Sequence, residues 1–475
     1  MALNTDNAIT DAAPPAKVPT GHPIGFWFFF WGEFSERCSF YGMKAILPVY
    51  LTAIMAMSDA KAGTYMNWFK MGCYALPLLG GFLADRFFGK YWTIVGFSLP
   101  YVLGHFVLGI PTNVALLVAL VLLAGGSGVI KPNISTLMGM TYDQKRPGQE
   151  PLRASAFLWF YFAINIGALI STFALPLVTS HYGNSQHGYA IAFQVPAWLM
   201  VAALVVFAAG KPFYGVEKRE YRKPTPEERA ARKASLLQLL SVFALIFFFW
   251  LGYEFNDNIW IYFTRDYVNL NADLRWIGMG DHIELAQLQV VNPAVVMIFA
   301  PLFAWLFKAL DPRGRIFTAG NKMLAGFVFS FLASATMAVA AFLASGIHTT
   351  ADPHKVSIAW PVMAFVFLTI AEVLIYGTGL EYSYAAAPAT MKGFVTGCFL
   401  AIDAVANFAD GFLTHLYGGS LTGPVEERGP MSAFAFFSCV ALVVLGSTFA
   451  FSFIARQMNR KVQSSSSSSE METPL

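Results

Sequence analysis

The sequence predicts an all-α membrane protein of twelve transmembrane helices in two six-helix halves. Three observations predict it. Hydrophobic residues make up 56% of the 475 residues and charged residues only 12%, so most of the chain sits where charges are costly. Apolar runs of bilayer length recur along the whole chain. The one substantial polar break falls between the sixth and seventh runs.

A helix that crosses a bilayer needs roughly 20 apolar residues. The segments of this kind are 24–54, 62–88, 91–110, 113–140, 152–180 and 188–209, then 236–264, 283–308, 316–345, 356–380, 391–417 and 431–456. The expected domains are therefore a bundle over 23–210 and a second over 236–457, joined by a linker over 211–235. The linker is rich in Lys, Arg, Glu and Pro and reads as a solvated connector. Residues 1–22 contain Asp6, Asp11, Pro14, Pro15 and Pro19 and no apolar core, so they read as a disordered lead and not as a signal peptide. Residues 458–475, with the serine run Ser464–Ser469, read as a disordered tail. Lys and Arg concentrate in the loops on the side of the N-terminus, which places both termini in the cytoplasm of a multi-pass protein of the cell (inner) membrane.

Composition and motifs exclude several classes. Cys38, Cys73, Cys398 and Cys439 are far apart in apolar runs, which argues for core residues and against a disulfide framework or a metal site. The sequence has no HExxH, no Asp-rich diphosphate motif and no nucleophile–base pair, so it does not read as an enzyme, and no cofactor is expected. A nucleic-acid partner has no support beyond the linker charge, and no obligate protein partner is expected.

Charges inside the apolar runs ask for partners. Span one carries Glu33, Glu36, Arg37 and Lys44. Helical spacing puts Glu33, Arg37, Phe40, Tyr41 and Lys44 on one stripe, with Glu36 at its edge, and Glu33 can pair with Arg37 at i, i+4. Other buried charges are Lys131 on span four, Glu254 on span seven, Glu372 on span ten, and Asp403 and Asp410 on span eleven. Depth along the spans makes two cross-domain pairs possible: Lys44 with Glu254 toward the outside, and Lys131 with Glu372 toward the inside. Two such pairs would serve as alternating gates.

The loop Gly81-Phe-Leu-Ala-Asp85-Arg86-Phe-Phe-Gly89-Lys90 resembles the inner-loop motif of the major facilitator superfamily, and the basic stretch Lys308 to Lys322 echoes it in the second half. The span-one run Glu33-Phe-Ser-Glu36-Arg37 resembles the ExxER motif of the proton-coupled oligopeptide transporter family within that superfamily. The run from Phe160 and Tyr161 to Asn165 and Gly167, Lys131-Pro132-Asn133, Asn292-Pro293, Trp250 with Glu254, and Glu372 are also similar to that family's pattern. The resemblance implies a major facilitator fold and a carrier of di- and tripeptides, of the kind found in bacteria. It makes Arg37 and Lys131 the cations for the peptide carboxylate and Glu372 the anion for its ammonium. Asn165 and Asn292 would bond the peptide backbone, and Phe40, Tyr41, Tyr74, Trp250, Tyr376 and Phe399 would line the side-chain pockets. Glu33, Glu36 and Glu254 would carry protons, coupled to substrate through competition for Arg37 and Lys131.

Departures from the family pattern bear on cargo. Cys38 stands where Phe is usual and Phe40 where Tyr is frequent; many members have Arg in place of Lys44. Tyr376 replaces a small polar residue and Phe399 a Trp, and the linker has no room for the two extra helices of many bacterial members. Asp403 and Asp410, which with Asn407 make an i, i+4, i+7 stripe, map to no family site. The alternative reading is a major facilitator carrier of another small anion, nitrate-like or an organic acid, or of a drug-like solute.

Overall fold

The computed structural model describes residues 21–216, 225–271, 281–311, 316–386 and 392–471, and side chains as far as Arg460. Most of the expected N-terminal lead, the middle of the expected linker, Arg313 and Arg315, and the end of the tail lie outside the described residues. Fourteen α-helices are present among the described residues. The first half holds α1 (Ile24–Ala53), α2 (Asp59–Leu83), α3 (Lys90–Leu108), α4 (Asn113–Lys145), α5 (Glu150–His181) and α6 (Gln186–Ala209). In the second half, α7 (Pro226–Tyr253) continues through a 3-10 turn, Glu254–Asp257, into α8 (Ile259–Tyr267). Then come α9 (Val291–Leu310) and α10 (Ala319–Leu343). After them α11 (Ala359–Glu372) passes through a π-helical turn, Val373–Gly377, into α12 (Thr378–Ala386), followed by α13 (Lys392–Leu413) and α14 (Ala433–Met471).

Two joined pairs thus reduce fourteen segments to twelve rods, six in each half. Ten of the rods are long and apolar enough to cross a membrane. The apolar runs of α1 and α2 are broken by Glu33, Glu36 and Arg37 and by Asn67 and Lys70, so composition alone does not identify those two. Leu99, Val121, Trp198, Trp305 and Leu442 face outward, as a surface against lipid requires.

Helix starts follow local chemistry. The side chains of Ser58, Thr112, Ser185 and Thr318 accept the first unpaired N–H groups of α2, α4, α6 and α10. Two ends differ from expectation. Helix α7 begins at Pro226, inside the expected linker, and α14 runs through the serine run expected in a disordered tail. An established helix propagates at small cost, which favours such extensions over a new start. Cys439 is exposed, contrary to the expectation of four core cysteines, because it lies on the outer face of α14.

In the first half, α1 packs on α5 and α6, α3 on α4 and α6, and α2 on α4; in the second, α10 packs on α11 and α14, and α7 on α13 and α14. The halves meet where α2 lies along α13 and where α5 meets α9 and the 3-10 segment Leu285–Val290. Small residues permit the α2–α13 approach. A Cβ on Gly411 would run into the Trp68 indole nitrogen, and one on Gly63 would stand 2.7 Å from a Thr414 methyl. A short parallel pairing, Val268 with Val356 and Asn269 with Ser357, ties the exit of α8 to the loop before α11. The end of the bundle carrying the α1–α2 connection is called the loop end below, and the opposite end the terminal end.

Candidate functional site

The α1 stripe forms as its spacing predicts. Arg37 Nε lies 2.7 Å from Glu33 Oε1 and 2.6 Å from Glu36 Oε2, with all three side chains at most 4% exposed. Tyr101 Oη donates to Glu36 Oε1 at 3.1 Å, and Glu33 Oε2 has no hydrogen-bond partner among the described residues. Two acids therefore compete for one guanidinium in a nearly dry setting.

Lys131 projects from α4 beside this triad. Its ammonium stands 4.5 Å from the Phe40 ring centroid and 4.9 Å from that of Tyr74, and among the described residues it forms no salt bridge. Aromatic faces attract a cation without neutralising it, so Lys131 remains available to an anion.

Glu372 is the counterpart in the second half. Tyr253 Oη and Asn292 Nδ2 donate to Glu372 Oε2 at 2.8 and 2.7 Å. Both donors are neutral, so its charge is not matched by a cation. Tyr41, Tyr161 and Tyr376 all stand within its electrostatic reach. Trp250 meets Tyr376 edge-on at 5.9 Å, and Tyr376 meets Phe399 at 5.8 Å, closing one wall with rings. Asn165 donates to the carbonyl of Tyr161 on its own helix, at 2.9 Å.

Of the two expected gate pairs, the geometry replaces the partner in one and leaves the other unformed in this conformation. Lys44 does not meet Glu254. Its ammonium binds both oxygens of Asp257, at 3.1 and 3.0 Å, one turn nearer the loop end. Glu254 turns instead toward α2, where Lys70 bonds its carboxylate and, at 3.3 Å, its backbone carbonyl. Lys70 also reaches Asp257 at 3.2 Å. Lys131 and Glu372 are likewise unpaired, each being held by groups of its own half.

The other described polar links between the halves also lie in the loop-end portion. Arg265 binds Asp59 through two bonds of 3.0 and 2.8 Å, Asn258 donates to Asn67 at 2.9 Å, and Thr64 donates to the carbonyl of Gly411 at 2.6 Å. The loop end is therefore closed.

Lys70, Asp257, Tyr253 and the Asp59–Arg265 pair were not among the candidates read from the sequence. Lys70 sits inside an apolar run and obeys the same rule that singled out Lys131. Asp257 follows Glu254 at i+3 and shares its face. Tyr253 carries no signal beyond its neighbour Glu254. Asp403 and Asp410 are both buried; Asn407 donates to Asp403 Oδ1 at 2.7 Å, and neither oxygen of Asp410 has a partner among the described residues.

Comparison with known proteins adds independent findings. The model of a family described as the POT family matches residues 91–227 and 219–422. Solute carrier family 15 member 2 of Rattus norvegicus is 32% identical over 404 residues, covering 73% of this chain and 53% of the relative. Peptide transporter family 1 of Drosophila melanogaster is 31% identical over 357 residues, covering 66% and 47%. The chain thus spans about half the length of the curated relatives it matches. Among solved structures, the POT family transporter PepTSo superposes with a TM-score of 0.77 at 26% identity, covering 92% of this chain and 99% of that one. An auto-inhibited POT family peptide transporter superposes with a TM-score of 0.74 at 25% identity, covering 91% and 97%.

Proposed function

Because the chain belongs to the POT family, we propose that it carries di- and tripeptides into the cell in symport with protons, by alternating access of its two halves. The observation that carries this reading is the pair of unmatched charges on opposite walls. Lys131 in the first half stands against rings and forms no salt bridge among the described residues, and Glu372 in the second is held by the neutral donors Tyr253 and Asn292. A peptide brings a carboxylate and an ammonium at its two ends, and this site offers the complement of each. Arg37 is the second cation. The tyrosines, Trp250 and Phe399 supply surfaces for variable side chains.

Proton coupling follows from competition. When a peptide carboxylate takes Arg37 or Lys131, Glu33 or Glu36 loses its counter-charge in a dry setting and takes up a proton instead. All twelve rods cross the cell membrane with both termini in the cytoplasm. The loop end then faces outward, and the closed contacts of Lys44, Lys70 and Arg265 form the outer gate. Lys131 and Glu372, apart here, approach when the inner side closes.

The test is uptake of labelled dialanine into proteoliposomes, with and without an inward proton gradient. Gradient-dependent accumulation that unlabelled dipeptides suppress is expected. Uptake indifferent to the gradient would remove the symport; suppression by nitrate or organic acids but not by dipeptides would remove the peptide.

A further inference from the structure

Helix α13 packs on α2 and on the turn Glu254–Asp257, and it brings Asp403 and Asp410 to that boundary. Seven residues separate the two acids, which puts them on one face about 10 Å apart. Asp403 stands within electrostatic reach of Glu254, Lys70 and Lys131, and of the tyrosines Tyr74 and Tyr376. Asp410 lies nearer the loop end, within electrostatic reach of the same Glu254 and Lys70. Helix α1 contributes Lys44, bound to Asp257.

The charges around this boundary do not balance. Glu254, Asp257, Asp403 and Asp410 are four acids against Lys44 and Lys70, and even with Lys131 counted one negative charge is in excess. Asp410 is 0% exposed and, among the described residues, has no hydrogen-bond donor at either oxygen. An unpaired carboxylate in such a place costs several kcal/mol, whereas a carboxylic acid does not.

We propose that α13 carries a proton relay that serves Glu254, with Asp410 on the loop-end side and Asp403 on the side of Lys131 and Tyr376. Glu254, Asp403 and Asp410 all belong to the second half and stay together as the halves rock, whereas Lys70 belongs to the first and withdraws when the loop end opens. Glu254 then lacks its cation and gains an O–H bond, the proton coming from hydronium by way of Asp410. When the loop end closes, Lys70 returns, the O–H bond of Glu254 breaks, and the proton passes to Asp403, on the side of Lys131 and Tyr376. The relay rests on the proposed proton symport and adds carriers distinct from the α1 triad.

The experiment uses the full chain in lipid vesicles, with Asp403→Asn and Asp410→Asn, which keep the shape of the protonated side chains. Infrared difference spectra between light and heavy water should show buried carboxylic-acid bands at neutral pH, and each variant should lose part of them. In dialanine uptake, each variant should lose proton-driven accumulation and keep peptide exchange without a gradient. An unchanged carboxylic-acid region in both variants would overturn the relay, and so would full accumulation in both. Failure of both variants to fold would also overturn it, since a neutral carboxyl tolerates a carboxamide. If the parent protein carries no peptide, the infrared result alone still decides for or against these proton carriers.

Discussion

Lys70 of α2 and Glu254 of the turn after α7 form a buried ion pair across the boundary of the two halves. The same ammonium reaches Asp257, which in turn holds Lys44 of α1. One lysine of the first half thereby ties two acids of the second.

Removing that lysine leaves both acids short of a cation. Breaking a buried pair from one side costs about 3–5 kcal/mol. Lys70→Met should therefore lower the thermal midpoint of the purified protein markedly and expose the loop end to thiol reagents at an engineered cysteine. Adding Glu254→Gln and Asp257→Asn should recover most of the midpoint. A Lys70→Met protein as stable as the parent would show that the network does not hold this conformation.

The α1 triad makes a separate prediction. Glu33→Gln and Glu36→Gln each remove a proton carrier while leaving Arg37 in place. Uptake driven by a proton gradient should vanish, and exchange of labelled for unlabelled dipeptide should persist in part. Concentrative uptake at the parent level in both variants would contradict the coupling role.

Lys131 and Glu372 should divide substrate recognition between them. Lys131→Ala should weaken binding of dialanine at least tenfold, about 1.4 kcal/mol. A dipeptide amide lacking the terminal carboxylate should be affected much less. Glu372→Gln should discriminate in the opposite sense, against a free ammonium and not against N-acetylated dipeptides. Competition assays with these analogues check both.

Gly411 gives a conformational test. The Cβ of Gly411→Ala would clash with the Trp68 ring, which lies against α13. Closure of the loop end should be impeded, and the protein should shift toward the conformation open there. Labelling of single cysteines on the two sides of the membrane measures the shift, and the additional change Trp68→Ala should reverse it.

Much of the fold was legible because lipid imposes one rule on every crossing, a long apolar run, and because the polar linker marks the division into halves. The α1 triad was legible for a local reason: helical spacing alone brings Glu33 to Arg37. Partners across the boundary were not. Depth put Lys44 level with Glu254, but rotation about the helix axis decides which acid faces it, and that angle is set by packing against α2 and α13. The 3-10 turn starting at Glu254 shifts the angle further, which is why Asp257 takes Lys44 and Glu254 takes Lys70. Lys131 and Glu372 were read as a gate from depth alone, and in this conformation the two walls stand apart.

Two rods of the second half are interrupted, and each interruption touches an acid. The α-helical part of one ends just before Glu254, where a tighter turn begins; that of the other ends on Glu372, where a wider turn follows. Such turns release carbonyls from the helical ladder. One of them, that of Glu254, is taken up by Lys70. In the first half, the rod bearing Glu33, Glu36 and Arg37 is a single 30-residue helix. Glu254 and Glu372 thus stand at elbows, where a proton gained or lost, a small change in charge, becomes a change in angle, whereas Glu33, Glu36 and Arg37 share one continuous helix and keep their places relative to one another.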